Sequence, residues 1–183
     1  MSDKETVDLR ELVGVVGRYP EEAFVFVRDG LNFAVEQIHG VETQAHRALA
    51  RFLSDHDMDW NDLITQYHAG ELDEVLVQAI EDAGGCDNLN RHVGGRELCW
   101  GLRDYGLKRW GLMARTVLDH WKVRTTTDFG RIVFSFIEQD LMQKQDGDTL
   151  EDFEDVYSFE EAFDRTFRMS GDDGEDSAND TED

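Results

Sequence analysis

The sequence predicts a mostly α-helical fold. Three observations carry the prediction. There is one proline, Pro20, in 183 residues; apolar residues recur at steps of three and four along most of the chain; and good helix formers outnumber breakers. Hydrophobic residues make up 40%, with 11 Phe and 4 Trp, which is enough to build a core and excludes disorder of the whole chain. The expectation is one helical domain over 1–169, followed by a disordered acidic tail over 170–183.

From the N-terminus, Val7, Leu9, Leu12, Val13 and Val16 mark a helix over 6–17. Pro20 suits the first turn of a second helix, where its missing N–H costs nothing, and Glu21 and Glu22 favour the positive end of its dipole. Phe24, Val27, Leu31, Ala34 and Ile38 give that helix one buried stripe, and Gly40 stops it. A third helix covers 43–54. Asp59 caps a short one carrying Trp60, Leu63, Ile64 and Tyr67, and Gly70 ends it. Leu72, Leu76, Ile80 and Ala83 belong to a further helix, closed by Gly84 and Gly85.

Beyond Gly94 and Gly95, the pattern predicts three more helices. Leu98, Cys99, Leu102 and Trp110 lie on the first, and Met113, Val117, Leu118 and Trp121 on the second. Thr125 with Asp128 forms a capping-box pattern for the third, whose stripe runs from Phe129 to Leu141. Asp146-Gly147 between two short alternating runs is a hairpin signal. Three short helices and a hairpin predict a winged-helix-like C-terminal part over 96–155. Ser158 caps a last helix carrying Phe159, Ala162, Phe163 and Phe167.

The net charge of −23 excludes attraction of the whole body to nucleic acid or to anionic membranes. The charge is uneven. Residues 91–131 hold nine Lys and Arg against four acids, a local +5 that leaves −28 on the remainder. Three readings compete: the basic helices pair with acidic helices of the same domain; the arginines bind a phosphate-bearing partner, with the acidic tail as competitor; or the acidic surface docks a basic protein. The candidate binding residues are Arg103, Arg109, Arg115 and Arg124. The third helix of a winged helix would be a poor groove reader here, because Arg131 stands beside Glu138 and Asp140.

The best metal candidates are His56, Asp57, Asp59 and His68, hard and imidazole ligands in one local stretch. Asp57, Asp59 and Asn61 imitate the start of a calcium loop. Asp62 then stands where the loop needs glycine, and His68 where it needs glutamate. No nucleophile elbow, phosphate loop or zinc-type spacing occurs, and nothing calls for a cofactor. Cys99 falls on a buried face, and Cys86 follows a Gly-Gly loop. Two unpaired thiols, no secretory leader pattern and no long apolar run predict a cytoplasmic protein with no membrane partner.

Three runs stand out as a set: His92-Val93-Gly94-Gly95-Arg96-Glu97-Leu98, Trp110-Gly111-Leu112-Met113-Ala114-Arg115, and Thr127-Asp128-Phe129-Gly130-Arg131-Ile132. With Tyr19, Phe24-Val25-Phe26-Val27, Glu151-Asp152-Phe153 and Phe159-Glu160-Glu161-Ala162-Phe163, the chain resembles a conserved hypothetical protein family, uncharacterised, of planctomycete and verrucomicrobial bacteria. The resemblance covers 7–38 and 91–165, and implies a bacterial cytoplasmic domain with 41–90 as a helical insertion. It implies no activity, cofactor or catalytic residue. The reading from sequence is therefore a non-enzymatic interaction or regulatory domain with a macromolecular partner, protein or nucleic acid. The alternative is a small metal-dependent enzyme using the acidic His cluster.

Overall fold

The computed structural model describes Gly14, 17–139, 141–142, 144–145 and 147–164. The helix expected over 6–17, the tail over 170–183 and the end of the last helix at Phe167 lie outside the described residues. Seven α-helices form among the rest: α1 (Glu21–His39), α2 (Gln44–His56), α3 (Trp60–Ala69), α4 (Glu74–Asp82), α5 (Gly95–Trp110), α6 (Ala114–His120) and α7 (Thr126–Glu138). None is long and apolar enough to cross a membrane.

Their ends are set by short polar side chains that satisfy backbone N–H groups with no partner inside the helix. Thr43, Asp59 and Asp73 accept from the third residue on, at the starts of α2, α3 and α4. Thr125 and Asp128 make a full capping box on α7. Pro20 stands one place earlier than expected, as the N-cap of α1, with its carbonyl accepting from Ala23 N. Gly70 ends α3 in the left-handed region at φ 70°, where a side chain would be strained.

Two apolar clusters result. The larger gathers α1, α5, α6, α7 and the C-terminal turns around Phe24, Phe26, Leu102, Leu118, Phe129 and Phe163. The long helices α1 and α5 pack along each other. Small residues permit their close approach: Gly30 receives Leu102, and Gly101 faces the Cβ of Ala34. Aromatic rings close the far end, with Phe26 5.4 Å from Tyr105 and 5.2 Å from Trp110. The smaller cluster is built within 41–90, from Leu49, Leu53, Leu63, Ile80, Ala83 and Leu89.

The C-terminal part corrects the expected winged helix. The three helices α5, α6 and α7 are present, but no strand forms among the described residues. Gly147 does sit in a tight turn, with Asp148 N donating to Gln145 O. The chain beyond this turn coils instead of extending. Thr149 and Asp152 form a capping box, and Leu150–Phe153 winds into a 3-10 turn. The reason is Phe153, which is 4% exposed and fills the space above Gly95 and Gly130. A strand would alternate its side chains across two faces, whereas the 3-10 turn brings Leu150 and Phe153 together on α7. The helix α7 also stops at Glu138, short of Leu141. Ser158 caps as expected, but the element after it is a π-helical turn, Glu160–Asp164.

A Cβ on Gly130 would lie 2.7 Å from Phe153 Cγ and 2.9 Å from Leu150 Cδ1. Gly130→Ala should therefore lower stability by roughly 1–3 kcal/mol through overpacking. Val75, 77% exposed, is the control: Val75→Thr should leave the urea midpoint nearly unchanged.

Candidate functional site

Helix α5 carries two of the four candidate arginines, Arg103 and Arg109. Arg103 and Arg109 are six residues apart, which at about 100° per residue places them roughly 120° apart around the helix. They therefore sit on different flanks. The Arg103 guanidinium lies 5.2 Å from the Trp100 ring, with Nε 3.5 Å from Asp104 Oδ1 and making no hydrogen bond. Arg109 donates to Tyr105 Oη at 2.8 Å and lies over the Tyr105 and Trp110 rings. Arg115 pairs with Asp164, and Arg124 Nε donates to Asp119 Oδ1 at 2.6 Å. Three of the four thus hold a carboxylate each. Arg109 holds none among the described residues, and the same is true of Lys108, whose Nζ is 4.9 Å from the Phe33 ring. Just beyond them, the 3-10 turn Gly111–Met113 leaves Leu112 and Met113 more than half exposed. A cleft of about 500 Å³ lies alongside, lined by Arg109, Trp110, Val117, Trp121, Phe26 and Glu22 among others.

The metal candidates are separated by their local duties. His56 Nδ1 donates to Phe52 O at 2.8 Å and its ring stacks on Phe52. Asp57 is the C-cap of α2 with a left-handed backbone. Asp59 accepts from Asp62 N as the N-cap of α3, and His68 sits edge-on to Tyr67. No group of three or more side chains able to hold a metal occurs among the described residues. The thiols are not activated. Burial pushes Cys99 up to about 12, and burial followed by Asp87 and Glu81 raises Cys86.

The most heavily bonded polar group among the described residues is Asp128, 2% exposed at the start of α7. Its Oδ1 accepts from Tyr19 Oη at 2.6 Å, Arg131 Nη1 at 2.9 Å and Arg18 Nη2 at 3.1 Å. Its Oδ2 accepts from Arg124 N, Thr125 N and Thr125 Oγ1. Burial alone would raise its pKa, but the hydrogen bonds and the Arg18 charge outweigh that and hold it below 3.8. The same contact, added to burial, pushes Tyr19 up to about 12.

A second polar cluster surrounds His92, where α1, α5 and α7 meet. His92 Nε2 and Asp148 Oδ1 are 3.0 Å apart. The carbonyl of His92 accepts from His39 Nε2 at 3.0 Å. Arg91 donates to the carbonyls of His39 and Gly40, at the negative end of α1. His46, 4% exposed, donates from Nε2 to Asn88 O and so ties α2 to the loop before α5. Two cavities adjoin here. One of about 830 Å³ is polar and lies between the two apolar clusters; the other, of about 230 Å³, opens between α1, α5 and α7. Val35, Arg91 and His92 line both.

The Asp128 contacts set a stability test. Asp128→Asn puts an amide where six donors converge and leaves buried ones unsatisfied, so it should cost roughly 1–3 kcal/mol, as should Tyr19→Phe. Because the folded carboxylate titrates below its ordinary value, its stabilisation is complete above that value and is lost as pH falls through the folded one. Urea midpoints should therefore fall with pH below 3.8 in the wild type, and less steeply in Asp128→Asn.

Comparisons with protein-family models, with curated proteins and with solved structures gave no match.

Proposed function

We propose that this protein is a non-catalytic interaction domain that holds an acidic protein segment at the C-terminal end of α5. One observation carries the reading. Lys108 and Arg109 rest on aromatic rings with no carboxylate partner among the described residues, beside the outward Leu112 and Met113. A guanidinium stacked on rings is preorganised, and it still offers donors to an incoming carboxylate. Exposed apolar side chains next to it supply the burial that charge alone does not. The neighbouring ion pairs, Arg103 with Asp104, Arg115 with Asp164 and Arg124 with Asp119, temper the surface and confine its cationic character. A net charge of −23 disfavours a duplex, whose phosphates repel the rest of the body, so a protein segment is the preferred partner.

The test is fluorescence anisotropy with a labelled peptide of alternating Glu and Leu, and in parallel with single-stranded DNA of similar length. The peptide should bind in a salt-dependent manner. Arg109→Glu should weaken it by about tenfold or more, and Arg124→Glu by much less. Equal loss from both variants, or tighter binding of the DNA, would sink the reading.

A further inference from the structure

We infer that the cavity of about 230 Å³ between α1, α5 and α7 is a binding site for a small apolar monocarboxylate, such as an arylacetate or a short branched acid. This goes beyond the interaction surface at the end of α5 and involves none of its residues.

The walls define the tail. Leu31, Val35, Leu98, Val133, Ile137 and Phe153 enclose the space with apolar atoms from three helices and the C-terminal turn. An apolar cavity of about 150 Å³ is enough to hold a benzene ring. Here there is room for a ring and a short arm, and no room for a long acyl chain. The side chains around it are fixed by helix packing, so the space is formed before any ligand arrives.

The rim defines the head. Arg91 lines the cavity and the polar groove next to it, and its guanidinium bonds backbone carbonyls instead of a carboxylate. The Lys144 ammonium lies 5.7 Å from the ring of Phe134, a cavity residue, with no carboxylate partner among the described residues. The acid at the rim, Asp148, is already engaged: Oδ1 contacts His92 Nε2 and Oδ2 accepts from Gln145 N. Lys144 stands in the wall of the adjoining groove, and Arg91 is shared by both spaces; with Asp148 satisfied and Glu42 paired with Arg47, these two cations are the groups at the junction left to meet an anionic head. Glu36 and Asp59 line the wider groove beyond and would repel a second negative charge, which selects a monocarboxylate over a dicarboxylate.

The experiment is a titration of the full chain, monitored by backbone amide NMR, with phenylacetate and with uncharged 2-phenylethanol. Phenylacetate should saturate, with shifts centred on Val93, Leu98, Phe134 and Ile137, and should bind about tenfold tighter than the alcohol. Lys144→Met, at an exposed position, should remove most of that preference and leave the affinity for the alcohol unchanged. Ile137→Phe should fill the space and abolish both. Should that variant fold poorly, Lys144→Met still decides the matter. No saturable binding, shifts centred elsewhere, or equal affinity for acid and alcohol in the wild type would each overturn the proposal.

Discussion

A carboxylate buried at the start of α7 obliges the chain to bring Arg18 and Tyr19 back to it. Taking an ion of this size out of water costs several kcal/mol unless its lone pairs are filled. Asp128 meets that cost with six donors, three on each oxygen. Three of these come from the capping box and its flank, so they exist wherever α7 exists. Tyr19 and Arg18 are separated from Asp128 by more than a hundred residues, and they join only when α1 and α7 are in place. Pro20 comes next in the chain with φ −73°, so the hydrogen bond at Tyr19 also fixes where α1 begins and which way it points.

That entry point governs the rest of the larger cluster. α1 runs along α5 because Gly30, Ala34 and Gly101 let the two backbones approach. The C-terminal chain is drawn back over both by Phe153, which settles on the glycines of α5 and α7. Tyr157 then donates to the carbonyl of Cys99 at 2.6 Å, with burial holding its hydroxyl protonated well above the usual tyrosine range. Phe153 also forms one wall of the 230 Å³ cavity, so the residue that displaces the expected hairpin helps to create the space beside His92.

The helices were legible in the sequence because caps and periodicity are local. Asp59, Thr125 and Ser158 each cap the element read from them, and Gly40 and Gly70 end theirs. What failed was long-range. Asp-Gly signals a turn, and a turn forms; whether strands flank it depends on where Phe153 finds room, and that room belongs to Gly95 and Gly130 in other helices. The capping role of Asp128 could be read from Thr125, but nothing local in the sequence points from Asp128 to Tyr19. Arg91 and Lys144 were likewise invisible as a pair, because they are far apart in sequence and only the fold brings both to the wall of the polar groove. His56, one of the candidate ligands, donates to the carbonyl of Phe52 in the last turn of its own helix, a local use that spacing alone does not reveal.

Charge shows the same limit in a sharper form. The +5 of residues 91–131 invites the idea that acidic helices elsewhere neutralise it. The ion pairs run otherwise. Asp104, Asp119 and Asp128, three of the four acids in the segment, pair with arginines of the same segment; Asp128 also takes Arg18 from outside it, and Arg115 reaches out to Asp164. Glu97 caps the start of α5. Most of the segment's own negative charge is therefore engaged within it, and Arg91, Lys108 and Arg109 hold no carboxylate among the described residues. Each takes instead a neutral support, a helix-end carbonyl or an aromatic face, that stabilises a cation without cancelling it. The long-range field of an acidic body repels polyanions, while these cations act over contact distance. Screening at physiological salt confines each effect to about 8 Å. A locally cationic contact surface can therefore persist on a protein of strongly negative total charge.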